Sequence, residues 1–212
     1  MERLQRWFRR RRGRKLADKI WELHRTHGRV IRIIDVGGRP EYWEHVEISG
    51  AAEVVLYNLP PDDPSVLEGL IMPKGMSLEF GDARNMSEFS DRAFDLVHSN
   101  STIEHVGGWS DILKVAQELK RVGITGWVQT PAWEFPVEPH FRAPLVHWFA
   151  KPTRAALLRF VGKYRGAPLE DRRRHVDRVN LLSKSEVQRC FPEARLMIER
   201  FALLPKSYIC VW

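Results

Sequence analysis

Four short segments carry the side chains with which an α/β protein does chemistry: Asp35-Val36-Gly37-Gly38, Asn58-Leu59, Gly81-Asp82-Ala83 and Ser99-Asn100. Each closes or follows an apolar run rich in β-formers. Glycine there lets the backbone turn sharply and approach a ligand, and the helix opening at Pro40 points its free N–H groups the same way. Together they suit a site for a nucleotide-type cofactor. Beyond the last segment, Asn100-Ser101-Thr102-Ile103-Glu104-His105 sets a carboxylate beside an imidazole. His105 is the candidate general base for a hydroxyl or phenol acceptor, a role typically worth about 10²–10⁴ in rate. The same pair could instead hold the loop by bonding backbone. Glu138 and His140 form a second polar pair, which with Glu104 and Trp133 lines an acceptor pocket, or else fixes the loop between Pro136 and Pro139. Glu-x-His without further ligands nearby in sequence is too little for a metal site, so no metal is expected.

The elements that must position these groups can be read from hydrophobic patterning. The run ending at Val36 has the β-branched character of a buried parallel strand, and Pro40–Val46 reads as helix. A second strand, Glu53–Leu59, breaks at Pro60-Pro61-Asp62-Asp63-Pro64, and a short third ends at Phe80. Phe94–Ser99 is a fourth. Trp109–Val122 is the best helix, with Ile112, Leu113, Ala116 and Leu119 on one face; Gly123 ends it before a fifth strand over Ile124–Gln129. From Pro131 to about Arg178 the alternation stops, and aromatics, prolines and then arginines dominate. A helix capped by Ser183 or Ser185 and two strands, near Leu196–Phe201 and Ser207–Trp212, close the chain.

Strands alternating with helices predict a doubly wound α/β domain with a mainly parallel sheet, an antiparallel edge strand and a helical insert after strand five. Four segments are expected: 1–28, a basic N-terminal extension and helix; 29–130, the cofactor-binding core; 131–178, an acceptor-side insert and lid; and 179–212, the closing helix and strands of the same domain. In such sheets ligands sit beyond the carboxyl ends of the strands, where all four polar segments fall.

Charge divides the 212 residues unevenly. Residues 1–15 hold eight basic residues against Glu2, which accounts for the whole net charge of +7 and leaves the rest neutral. The domain itself therefore gives no electrostatic reason to expect nucleic acid. The extension has three readings: a solvated extension whose helix leads into Leu16, Ile20, Trp21 and Leu23, which pack on the domain; contact with anionic membrane, with Leu4, Trp7 and Phe8 beside the arginines; or non-specific RNA binding. No apolar run reaches the roughly 18 residues that span a bilayer. The N-terminus lacks a signal-peptide core, and Cys190 and Cys210 read as reduced thiols, so a cytoplasmic protein with peripheral membrane contact is expected.

From about residue 30 to 130 these motifs resemble the class I S-adenosylmethionine-dependent methyltransferases, in particular the small single-domain kind called methyltransferase type 11. The likeness extends into Thr130-Pro131-Ala132-Trp133-Glu134-Phe135-Pro136-Val137-Glu138-Pro139-His140. It implies the Rossmann-like methyltransferase fold and transfer of a methyl group from S-adenosyl-L-methionine to a small-molecule or lipid-like acceptor by direct displacement. Asp35, Gly37 and Gly38 match its cofactor motif, with the acid near the methionine part. Asn58, with Leu59 beside it, stands where an acid commonly grips the ribose hydroxyls. Gly81, Asp82 and Ala83 fall at the adenine, and Ser99 and Asn100 at the end of strand four. Arg39 replaces the usual third glycine. A hydride-transferring enzyme would prefer Gly-x-Gly-x-x-Gly and an acid after strand two. Methylation of RNA or protein, docked by the arginine-rich extension, and a non-catalytic binding domain are the alternatives.

Overall fold

The computed structural model describes residues 2–138 and 140–212, with residues 2–6 described as backbone. The side chains of Arg3, Leu4 and Arg6, and the whole of Pro139, lie outside the described residues. In chain order the elements are α1 (Glu2–His27), β1 (Ile31–Val36), α2 (Pro40–Trp43), β2 (Ala52–Asn58), β3 (Met76–Phe80), β4 (Phe94–Asn100), α3 (Trp109–Val122), β5 (Gly123–Pro131), β6 (Val137–Glu138), β7 (Ala143–Pro144), α4 (Lys151–Leu157), α5 (Leu169–Asp177), α6 (Lys184–Cys190), β8 (Arg195–Phe201) and β9 (Leu204–Val211). Seven strands form one sheet in the order β3-β2-β1-β4-β5-β9-β8, and β6 pairs with β7. The β1–β2, β1–β4 and β2–β3 pairs are parallel, and β8 and β9 are antiparallel at the edge, as the sequence predicts.

The chain divides into two compact units. The first runs to Asn100 and includes Glu118–Trp127. Its strands β1 and β4 carry almost continuous apolar burial, as a two-sided parallel sheet requires. Helix α1 belongs to this unit from end to end. Phe8, Leu16, Ala17 and Ile20 are buried along one face, each large side chain worth about 1.5–3 kcal/mol. From Phe8 onward the basic extension is thus part of a helix packed on this unit rather than a solvated tail. Trp7 and Trp21 are exposed, and the Trp21 indole donates to the Glu47 carbonyl at 2.9 Å. Gly13 lies in the helix interior, normally a costly position for glycine. A Cβ there would meet the His45 carbonyl oxygen at 2.7 Å, which explains the residue. Gly28, in the left-handed conformation at φ 64°, closes the helix with its N–H on the His24 carbonyl at 2.9 Å.

At the opening edge of β1, Arg29 grips Asp95 with two bonds of 2.8 and 2.6 Å, and the Arg32 N–H adds a third at 2.9 Å. This ties β1 to β4 at the ends away from the polar segments. Helix α2 is a single turn, shorter than Pro40–Val46. After Trp43 the chain continues in tighter turns, with His45 and Val46 N–H groups on the Tyr42 and Trp43 carbonyls.

The second unit comprises 101–117 and 128–212. Its core gathers Phe141, Ala143, Val146, Ala155, Leu158, Val176 and Val179 from the insert. Helix α6 has the capping box expected of Ser183: its hydroxyl accepts from the Glu186 N–H while Glu186 accepts from the Ser183 N–H. Cys190 and Cys210 are buried thiols. Among the described residues no helix is long and apolar enough to cross a membrane.

Candidate functional site

In the first unit, strand register brings the polar segments to one level. Val36 pairs with Tyr57, Asn58 with Phe80, and Asp35 with His98. The residues that follow β1, β2, β3 and β4 therefore form a row across the sheet. Gly37, at φ 76°, makes the turn out of β1 that a side chain would strain, and its N–H bonds the Tyr57 carbonyl at 2.9 Å. Asn58 donates from Nδ2 to the Gly38 carbonyl at 3.0 Å, which leaves Oδ1 as an acceptor. Ser99, buried, donates to the Val36 carbonyl at 3.0 Å. Asn100 accepts from the buried Arg12 of α1.

Asp35 is buried beneath this row. Its carboxylate accepts from the Trp43 indole at 2.8 Å and from His98 Nδ1 at 2.6 Å. A Cβ on Gly38 would fall 2.0 Å from Asp35 Oδ2. The acid of the motif thus holds the turn, the single-turn helix and β4 together, and Gly38 is glycine because that carboxylate lies against it. His98 Nε2 is buried without a hydrogen-bond partner, its ring 4.7 Å from Tyr42 and 5.2 Å from Trp43 by centroid. Neither Trp43 nor His98 was legible as part of this group; a histidine inside an otherwise apolar strand was the one signal.

Gly81 follows the same logic, since a Cβ there would meet the Tyr57 hydroxyl at 1.9 Å. That hydroxyl bonds Glu88, and burial together with Glu88 pushes the phenol above its ordinary range. Asp82 is half-exposed and forms a fork with Arg84, at 2.9 and 2.6 Å. Ala83 is half-buried beside it, and Leu59 is exposed.

The second unit gathers Glu104, His105, Glu138 and His140. Glu104 and His105 lie in a short 3-10 turn (Ile103–His105), and Glu138 ends β6 just before His140. Glu104 is fully buried. Its Oε2 accepts from Thr130 at 3.0 Å, while Oε1 has no hydrogen-bond partner, and burial pushes the carboxyl up to about 7. His105 donates from Nδ1 to the Arg178 carbonyl at 3.1 Å, which leaves its lone pair on Nε2. That atom is 3.0 Å from His140 Nε2, and His140 Nδ1 bonds Glu138. Burial lowers His140, but the Glu138 carboxylate outweighs it and the net shift is upward; burial, then the charge of His140, lowers His105. A hydrogen bond made directly between the two rings would run from His140 to His105. The lone pair a base at His105 would use is already engaged.

Trp133 belongs to a cleft of about 190 Å³ in the same unit, lined also by Trp109, Ile112, His147 and Arg154 but not by Glu104, Glu138 or His140. Its carbonyl accepts from the Trp148 indole at 3.0 Å and lies 2.9 Å from His147 Nε2.

Strand order and the polar row define a Rossmann-like α/β domain with polar groups at the carboxyl ends of adjacent strands, where ligands bind in such sheets. Residues 43–126 match the family model described as a methyltransferase domain. Among solved structures, a putative Zn-dependent alcohol dehydrogenase from Rhodobacter sphaeroides is similar at a TM-score of 0.55 and 12% identity, over 86% of this chain and 84% of that one. An O-methyltransferase family protein from Burkholderia thailandensis is similar at 0.53 and 14% identity, over 92% and 55%. PigF with SAH is similar at 0.50 and 13%, over 85% and 55%. At such identities the likeness is one of fold, and the chain spans little more than half of the last two. A search of curated proteins finds no match. The likeness shows the fold, a Rossmann-like α/β domain of the kind methyltransferases share, within which residues 43–126 match the methyltransferase model.

Proposed function

We propose that this protein transfers a methyl group from S-adenosyl-L-methionine to a small-molecule or lipid-like acceptor. The observation that carries the cofactor reading is the row of polar groups across β3, β2, β1 and β4, on a segment that overlaps the methyltransferase family match. The residues fit the cofactor. The backbone of Gly37 and Gly38 would face its methionine part, Asn58 Oδ1 would accept from a ribose hydroxyl, and Asp82 and Ala83 would take the adenine. An amide in place of an acid at residue 58 forfeits the roughly twofold strength of a charge-assisted bond, so modest affinity is expected. Asp35 acts on the cofactor through the turn it braces.

When bound, the cofactor supplies a sulfonium methyl that is itself an activated group. The protein's task is then positioning and exclusion of water, and positioning alone can be worth about 7–11 kcal/mol. This demand is met without a general base, consistent with the engaged lone pair of His105. Docking of RNA by the extension is less favoured. Phe8 and Arg12 of α1 are buried in the first unit, so this helix is not a free arm. The test is transfer of isotopically labelled methyl from S-adenosylmethionine in a cell extract freed of endogenous cofactor. Label is expected in solvent-extractable small molecules. Label confined to RNA or protein would refute the acceptor class.

A further inference from the structure

We propose that Glu104, His105 and His140 form a binding site for a divalent first-row transition-metal ion, of which Zn²⁺ is the type. Glu104 Oε1 and the Nε2 atoms of both histidines lie within 4.8 Å of one another. The pairwise distances are 3.0 Å between the two nitrogens, 4.0 Å from His105 to Glu104 and 3.9 Å from His140 to Glu104. A point equidistant from the three lies about 2.1 Å from each, which is the ordinary zinc–nitrogen and zinc–oxygen distance.

Each ligand is held by its other polar atom. His140 Nδ1 bonds Glu138, which also accepts the Phe141 N–H. His105 Nδ1 donates to the Arg178 carbonyl, and Glu104 Oε2 accepts from Thr130. These are the partners that fix tautomer and aim in metal sites: a carboxylate or carbonyl behind each imidazole, leaving both Nε2 atoms to face inward. The competing explanation is a protonated His140 bridging Glu138 and His105. It accounts for the contact between the rings but not for Glu104 Oε1, a fully buried carboxylate oxygen beside them with no hydrogen-bond partner. A cation between the three answers all of it. Two imidazoles and one carboxylate favour zinc, iron, cobalt or nickel over magnesium or calcium. Three protein ligands also leave a coordination position for water or another ligand. In this reading His105 is a ligand. The sequence hid the site because its third ligand, His140, lies 35 residues beyond His105.

The full-length protein, stripped with a chelator, is titrated with Zn²⁺ by calorimetry and with Co²⁺ by visible absorption. One equivalent should bind at micromolar affinity or tighter, with cobalt bands of the intensity given by four or five ligands. His140→Ala and Glu104→Gln should each weaken binding at least 100-fold, and Glu138→Gln about 10–100-fold. Zinc should also raise the melting temperature of the parent more than that of Glu138→Gln, a comparison that stands if the ligand variants fail to fold. The proposal is overturned by no stoichiometric uptake in folded parent protein, or by equal uptake in Glu138→Gln and in any folded ligand variant. S-adenosylhomocysteine binding to Glu138→Gln, measured in parallel, should be unchanged; this separates failure of the metal site from failure of the cofactor reading.

Discussion

Gly38→Ala isolates the claim that the glycine turn is built around Asp35. Gly38 is outside the positive-φ set, so the substitution carries no backbone strain of that kind. At an unobstructed position it would stabilise by about 0.4–1 kcal/mol through the unfolded chain. Here the new Cβ lies 2.0 Å from Asp35 Oδ2 and 2.2 Å from its Cγ, so something must move. If the carboxylate moves, it leaves the Trp43 and His98 donors, two bonds to a buried charged group at about 1.5–3 kcal/mol each. If the backbone withdraws, it strains the Gly38 N–H bond to the Asp35 carbonyl at 3.3 Å and the Asn58 bond at 3.0 Å, about 1 kcal/mol each. The cheaper response sets a floor, so a loss of about 2–5 kcal/mol is expected. Urea unfolding followed by tryptophan fluorescence should show a midpoint lower by at least 1 M, taking a slope of about 2 kcal/mol/M. Gly108→Ala, where a Cβ meets nothing within 4 Å, is the control and should be near neutral. A Gly38→Ala protein as stable as the parent would refute the packing described for Asp35.

Asn58→Asp replaces the N–H donated to the Gly38 carbonyl with an oxygen, so it should cost about 1–2 kcal/mol in the same urea assay; a stabilised variant would contradict the orientation of that amide. Burial alone would raise Asp95, but the Arg29 fork and the Arg32 N–H outweigh it and hold the carboxyl below its ordinary value. Its contribution is then present above about pH 4 and is lost as pH falls through the lower folded value, so Asp95→Asn should flatten the acid side of the stability profile; equal slopes would show the pair to be inert. Ser183→Ala removes one half of a capping box and should lower stability by about 0.5–2 kcal/mol, whereas no change in the melting curve would mean that α6 does not depend on it. On α1, exposed Trp7 with Arg11 stacked 5.3 Å over its ring, beside exposed Arg9 and Arg10, is the face proposed for anionic membrane. Co-sedimentation with anionic vesicles should fall on charge reversal of Arg9, Arg10 and Arg11, and binding that is unmoved would exclude it.

The strands were legible because a two-sided parallel sheet demands continuous apolar runs, and β1, β2 and β4 supply them. Helix α3 was found at its observed ends from its apolar face. Where the reading diverged, a long-range contact decided. Helix α2 stops at Trp43, whose indole is drawn onto Asp35, and β5 begins at Gly123, where a Cβ would strike Val97 at 2.4 Å. The extension looked like a charged tail because its buried stripe of Phe8, Arg12, Leu16 and Ile20 hides among arginines. The site divides the same way. The positions of Gly37, Asn58, Gly81 and Ser99 follow from local turn chemistry. Their partners do not: His98 reaches Asp35 across 63 residues, and His140 reaches His105 across 35.

The central claim is that the polar row of the first unit holds S-adenosylmethionine. Calorimetric titration of the purified protein with S-adenosylmethionine, and separately with NAD, tests it most directly. The account predicts saturable micromolar binding of the former and none of the latter. Binding of NAD alone, or of neither by protein shown to be folded, would contradict it.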